Sequence, residues 1–395
     1  MPKIRIAFIK FNGLASGGTE RWLQSVAACL NKDAFEATYF YTGKSDPDRE
    51  KFLLSHGVRL VRVAAEDKTA SRGEWVNTDL FKKFDESRYD IIQTAIAGRR
   101  EWPYYLFRKP VAQCVTYDSG VDFSLNVHHT FHLSSWWRKR WIAQGGSRRR
   151  SSVVAIGVEE PADAPGIRES LGIPQNALVA GFHQRADDNI FSPVPLEAFA
   201  SLARDNSWFI ILGGSAQYGE QAARLGLKNF LQLPHTADRR TISSFLRTLD
   251  IFAHGRKDGE TLGYVFIEAL MHKLPCLAHA ARANAHKETM GPGGLWAENE
   301  AEYARQLKRL FAEPDLRQRL AAQGESFARE TYSNARAIAH IEHVYIDICD
   351  IYKNSALYIL LHKFTLYISI CMRYLLRRIL RRLILRFADS IKGHK

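Results

Sequence analysis

The chain has 395 residues, 46% of them hydrophobic and 25% charged, which excludes a disordered polymer and leaves room for two ordinary domains. Five cysteines (Cys29, Cys114, Cys276, Cys349 and Cys371) include no CxxC pair, which argues against a disulfide framework and a zinc site. The formal net charge of +13 is uneven: from Lys353 onward ten Lys/Arg face one acid, Asp389, so that segment carries +9 and everything before it +4.

Residues 4–11 are an apolar run broken by Arg5 and closed by Lys10; it reads as a strand, not a signal peptide. "FNGLASGGTERW" follows and opens a helix with apolar residues recurring over 22–30. Gly13, Gly17 and Gly18 let the backbone approach a ligand, and amides at the helix start face an anion. The loop is neither GxGxxG nor a Walker loop, and a plain connector is the competing reading. Further β-like runs lie at 37–41, 90–96, 111–117 and 153–158, the alternation of a parallel sheet covered by helices. "RKRW" (138–141) and "SRRR" (147–150) read either as surfaces for acidic lipid or as solvated loops. Four of the cysteines lie in apolar runs as core fillers, which fits a reducing compartment.

"EEPADAPG" (159–166) is the linker, and the pattern then restarts. Strands are expected at 177–183, 208–214, 229–233, 251–254 and 276–280, and helices at 196–203, 264–273, 299–332 and 335–352. Ligands of open α/β sheets bind beyond the carboxyl ends of the strands, so the cleft between two such units is the expected site.

"GRKDGETLGYVFIEALMHKLPCLAH" (255–279) places Glu260 in a loop before a helix and Glu268 inside it. Gly259, Glu260, Thr261, Leu262 and Gly263 precede the helix, and the amides of Leu262 and Gly263 form a second anion seat. Glu268, about one and a half turns further in, can accept two hydrogen bonds from a diol such as a ribose. The two acids would grip opposite ends of one ligand; the competing reading pairs Glu268 with Lys273 or His272.

These residues resemble the E-x7-E signature of retaining GT-B glycosyltransferases, especially glycosyltransferase family 4, with Glu260 and Glu268 at the two glutamates. "SGGTERW" resembles the family's segment after the first strand, "AIGVEEP" its segment near the linker, and "LRTLDIFAHG" its strand before the signature. "RQRLAAQGESFARETYSNARAIAHIEHVY" resembles its closing helices, so the likeness covers about residues 1–352. It implies an α/β GT-B fold: an acceptor-side Rossmann-like domain (1–158), a nucleotide-sugar-binding one (159–334), and a closing helix (335–352) that crosses back to the first. It also implies transfer of a sugar from a nucleotide-sugar donor with retention, with no metal and no cofactor.

The site implied by the resemblance comprises Glu260, Asp118 and Arg185 as catalytic residues. Gly17, Gly18, Arg185, Lys257, Leu262, Gly263 and Glu268 are the donor-binding residues. Glu260 and Asp118 bind the sugar, Glu268 the ribose, and Arg185 with the loop amides stabilises the departing diphosphate. That phosphate oxygen is the expected base, and no protein nucleophile is named. Two positions depart from the family. The lysine usual a few residues after Arg185 is absent, so Arg185 acts with amides, Asn189 and Ser192, or Lys257 swings in. A histidine usual near the transferred sugar is replaced by Asp118; His128, His129 and His132 come later and read as structural, with His132 the alternative.

Residues 353–395 are apolar with arginines in step: Arg373, Arg377 and Arg381 recur at four, as do Arg378, Arg382 and Arg386, opposite Leu375, Ile379, Leu383 and Phe387. This reads as a basic amphipathic helix lying on an anionic membrane surface through 355–391, with docking on the body or a partner as the alternative. The body is too weakly basic for nucleic acid. The expected protein is a cytoplasmic enzyme, peripheral on the inner face of the cell membrane, acting on a lipid-linked or cell-envelope glycan such as a lipopolysaccharide intermediate. A catalytically inactive membrane scaffold, or an epimerase or hydrolase on the same fold, are the rival readings.

Overall fold

The structure, a computed structural model, describes residues 2–354 except 12–13, 15–16, 44, 65–77, 117–119, 156–159 and 203–205. Asp118 and the basic segment 355–395 therefore lie outside the described residues.

The first sheet is built from β1 (Ile4–Lys10), β2 (Phe35–Tyr41), β3 (Arg59–Arg62), β4 (Ile91–Ile96), β5 (Val111–Val115), β6 (Val127–His132) and β7 (Ser151–Val153). All seven strands are parallel, in the order β3-β2-β1-β4-β5-β6-β7. Its helices are α1 (Gly18–Cys29), α2 (Pro47–Ser55), α3 (Leu80–Lys83) and α4 (Ser135–Ala143). In the middle of β1, Ile6 to Ile9 are fully buried, as expected for a central parallel strand covered on both faces. Several elements escape the sequence reading, among them α2, β3, β6, α4 and, in the second sheet, the strand Gly294–Ala297. β6 is "VHHTFH", whose three histidines hide its burial. α4 begins after Ser134, whose Oγ accepts from the Trp137 amide at 3.3 Å as an N-cap. The strand expected over 153–158 lies earlier, at Ser151–Val153.

The second sheet holds β8 (Leu178–Gln184), β9 (Ser207–Gly213), β10 (Phe230–Leu233), β11 (Ile251–Ala253), β13 (Cys276–His279) and β15 (Gly294–Ala297), parallel in the order β10-β9-β8-β11-β13-β15. A two-residue ladder joins β12 (Gly259–Glu260) to β14 (Ala283–Asn284). Around these lie α5 (Val194–Ala200), α6 (Gln217–Arg224), α7 (Arg239–Leu246), α8 (Tyr264–Met271) and α9 (Ala285–Met290). Two further helices, α10 (Glu300–Ala312) and α11 (Pro314–Thr331), divide the expected run at Pro314, which sits at a helix start where its missing N–H costs nothing.

The last helix, α12 (Asn334–Asn354), packs on α1, β4 and β6 of the first sheet. Its Tyr345 is fully buried and donates to Gln93 Oε1 at 2.7 Å. The Asn31 amide donates to Glu342 at 2.6 Å. Cys114, Cys276 and Cys349 are buried, whereas Cys29 is exposed.

Candidate active site

One cleft of 1460 Å³ runs between the two sheets. Its walls meet where α1 of the first unit faces α8 of the second. Gly18 and Arg21 are three apart on α1, and Tyr264 and Glu268 four apart on α8, so each pair shares a helix face. A Cβ on Gly18 would stand 3.2 Å from the Tyr264 ring, so glycine here lets the two walls approach. Arg21 lies 5.8 Å from the centre of the same ring and donates to Glu268 Oε1 at 3.3 Å. Two further contacts tie the walls. Ser134 Oγ donates to the Thr261 carbonyl at 3.1 Å. Glu288 accepts from the Ser135 and Trp136 amides at 2.9 and 3.0 Å, an acid at the start of α4.

Glu268 is held from both sides. His183, near the carboxyl end of β8, brings Nε2 to 3.2 Å from Oε2, a close approach without the alignment of a hydrogen bond. Burial works against ionisation of Glu268, but His183 and then Arg21 outweigh it and bring its pKa down to about 2. A carboxyl depressed on folding adds stability that is complete above its ordinary value of 4.5 and lost as pH falls toward 2. The parent is therefore expected to lose on the order of 2 kcal/mol between those pH values through this group. Urea unfolding at stepped pH should show Glu268→Gln with a flatter acid limb; an identical limb would mean the carboxylate is not held this way.

Glu260 lines the cleft from β12. Burial raises its pKa and Arg256 partly offsets the rise, with Nη1 at 3.0 Å from Oε1. Arg256 also grips Asp258 through Nη2 at 3.0 Å. Gly263 caps α8 at φ +85°, and a Cβ there would meet Phe266 at 2.8 Å, so the turn requires glycine. No side chain caps α8, and buried Leu262 accepts from Thr289 Oγ1 through its carbonyl.

The other expected residues divide. Gly17 and Gly18 line the cleft, but Glu20 folds back over Gly17 and lies 3.7 Å from Lys10, so this turn carries a negative charge of its own. Arg185 lines the cleft with an exposed side chain 2.9 Å from Asp187. Neither expected helper joins it: Asn189 bonds Asp187, and Ser192 contacts His279 at 3.1 Å. Lys257 is exposed and lines a separate depression beside Ser192 and Glu298, so the structure does not bring it to the others. Its neighbour Arg256 faces the cleft instead. The Glu268 carboxylate contacts neither Lys273, which pairs with Glu325, nor the His272 ring, which meets the Glu268 backbone carbonyl at 2.7 Å.

His132 is fully buried against Trp141, and burial drives its pKa to about 3, which fits a core side chain. Residues 138–141 are helical, not a solvated loop: Arg138 bonds Ser151 Oγ and the Arg148 carbonyl, and Trp141 is buried.

Two parallel α/β units with a cleft between the ends of their sheets define the GT-B glycosyltransferase fold. Residues 164–327 match the family model of glycosyl transferases group 1. The D-inositol 3-phosphate glycosyltransferase of Streptomyces bingchenggensis is 27% identical over 208 residues, 47% of this chain and 44% of that protein. The chain thus spans less than half the length of this curated relative. The crystal structure of Anabaena HepE in complex with UDP and glucose superposes with a TM-score of 0.65 at 17% identity, covering 86% of this chain and 98% of that one. That of WaaG, a glycosyltransferase involved in lipopolysaccharide biosynthesis, gives 0.60 at 14%, covering 88% and 99%.

Proposed function

We propose that the protein is a retaining, metal-independent glycosyltransferase of the E-x7-E type that moves a sugar, a hexose by preference, from a nucleotide-sugar donor to a lipid-linked or cell-envelope glycan. The observation that carries this reading is the placement of Glu260 on β12 and Glu268 on α8 in one cleft, among the cations Arg21, Arg185 and Arg256. Glu268 takes the ribose hydroxyls and Glu260 the sugar hydroxyls. The diphosphate lies between them, against the start of α8, where helix amides and the arginines meet its charge. Arg256 and Arg21 stand in for the lysine that the sequence lacks after Arg185. The acceptor hydroxyl approaches the face the diphosphate leaves, and a phosphate oxygen takes its proton. Fixed donors aimed at the leaving group act without reorganising as charge develops. HepE is described with UDP and glucose bound, which makes UDP-glucose the first donor to try.

Calorimetry and thermal shift with UDP-, GDP-, ADP- and CMP-sugars test this. A true donor at 100 times its Kd should stabilise the fold by ~2.7 kcal/mol. NMR of the product should show the donor's anomeric configuration preserved. Failure to bind any nucleotide sugar would favour an inactive scaffold.

On this reading the protein attaches to the inner face of the cell membrane through residues 355–391. Among the described residues no helix is long and apolar enough to cross a membrane. Each Lys/Arg near an anionic surface is worth about 1 kcal/mol, and the leucines and Phe387 add burial. Removing residues 355–395 is expected to weaken binding to anionic vesicles by roughly 100-fold or more. Transfer to a soluble acceptor analogue should be preserved. High salt should reverse binding only in part, because apolar burial is not screened; complete release by salt would mean that nothing inserts.

A further inference from the structure

Among the described residues, every large hydrophobic side chain that is exposed belongs to the first unit or to α12; the second unit has none. Five of them gather on one side. Phe123 is the most exposed, at 72%, and Phe81, Leu106, Leu125 and Ile351 are each about half exposed. The backbone joins their segments. Phe81 packs on Trp102 and Phe107, with ring centres 5.7 and 6.4 Å apart. Asn126 Nδ2 donates to the carbonyls of Tyr104 and Phe107 at 2.7 and 3.1 Å, fixing the turn that carries Leu106 to the loop that carries Phe123 and Leu125. Tyr352, next to Ile351, donates to the Arg108 carbonyl at 3.3 Å. A Cβ on Gly145 would lie 3.4 Å from the Phe123 ring, so the end of α4 and the loop after it complete the face.

Its rim is cationic. Arg99, Arg100, Arg108, Arg148, Arg149 and Arg150 are all exposed. Of the nearby acids, Asp122 is buried, Glu101 accepts from the Ala97 amide and Glu86 accepts from the Arg108 amide; Asp85 and Asp350 are exposed, so the six arginines outnumber the exposed acids. Isolated exposed apolar residues need no explanation, but a contiguous group with an arginine rim marks a contact surface.

We propose that this face lies on an anionic lipid surface, Phe123 and Leu125 entering the headgroup region and the arginines meeting lipid phosphates. Charge decides the occupant. The segment after Asn354 carries eight of the thirteen net positive charges, so docking it here would bring like charges together. A surface of opposite sign satisfies both. Position agrees: the end of α12 lies beside Arg108 at this face. Stable attachment of peripheral proteins takes two signals, and the face supplies a second one that fixes orientation. The inference goes beyond attachment through the tail and does not depend on it.

The test uses the full chain and vesicles of phosphatidylcholine with phosphatidylglycerol, against phosphatidylcholine alone. Leu106→Ser, Phe123→Ser and Leu125→Ser together should weaken binding to the anionic vesicles roughly tenfold or more, with the melting temperature and nucleotide binding unchanged. In a second variant, Phe123→Trp, the emission added over the parent should shift blue on vesicle addition and be quenched by brominated lipid. Replacing Arg378, Arg382 and Arg386 with serine tests the tail separately. Loss in the face variant alone would sustain this inference and refute the tail; loss in the tail variant alone would refute this inference. It would equally be overturned if the added fluorescence escaped quenching, or if the triple variant lost only self-association while vesicle affinity held.

Discussion

Glu268→Gln is expected to weaken binding of the nucleoside diphosphate roughly 10- to 100-fold, because a hydrogen bond to a charged group is worth ~1.5–3 kcal/mol and glutamine offers one acceptor where there were two. The geometry sharpens this expectation. Oε1 faces Arg21 and Oε2 faces His183. His183 belongs to the same wall as Glu268, whereas Arg21 reaches across from α1. A ribose diol arriving at Glu268 therefore competes with Arg21. The released guanidinium is then close to the incoming phosphates, so the pair exchanges one charge partner for another instead of leaving a charge buried alone. The nucleoside without phosphates isolates the ribose contact and should lose affinity by the same factor. Equal affinity of parent and variant for both ligands, measured by calorimetry, would remove Glu268 from the ribose site. A loss confined to the diphosphate form would place Glu268 as the keeper of Arg21.

The two acids were legible in the sequence because the turn chemistry around them is local. Gly263 before an apolar helical run announces a left-handed turn at the start of α8, and the spacing of Glu260 and Glu268 follows from helical rise. The strands were legible for a similar reason: parallel strands buried on both faces leave continuous apolar runs, as in β1, β8 and β9. The partners of the acids were not legible. Arg21 is separated from Glu268 by 247 positions, and nothing in "GGTERW" says that its arginine turns toward the other unit. Arg256 and Lys257 are adjacent cations on a loop. Only the backbone path, with Lys257 donating its amide to Ile190 and Gly259 laid against Ala283, puts the first in the cleft and the second outside it. β6 was hidden because burial of His128 and His132 contradicts the usual polarity of histidine. His132, buried among aromatic rings, is held neutral by that burial.

Glu260→Gln is expected to lower turnover roughly 100- to 1000-fold, the scale of removing one group that meets charge at the reacting centre, while nucleoside diphosphate affinity changes little. The reason lies in position. Glu260 sits on β12 in the cleft, just before the anion seat at the start of α8, and the transferred sugar would lie beside it. Arg256 holds it at 3.0 Å, so its carboxylate is already oriented before any ligand arrives. Glutamine keeps the size and one acceptor for Arg256 but loses the negative charge that faces a sugar ring turning positive in the transition state. The pH profile gives an independent readout. Burial raises the pKa of Glu260 above its ordinary 4.5, so the active carboxylate is lost as pH falls through a value higher than that. The parent should therefore show an acid limb in turnover displaced upward from 4.5, and Glu260→Gln should lack it. If the variant instead loses nucleotide affinity as heavily as Glu268→Gln, then Glu260 acts through Arg256 to shape the anion seat. The division between a sugar-binding and a ribose-binding acid would then be wrong. Arg256→Lys separates the two cases. A lysine keeps one charge but cannot hold both Asp258 and Glu260 as the guanidinium fork does. It should therefore reduce turnover in the parent and add little to Glu260→Gln if the two residues form one unit.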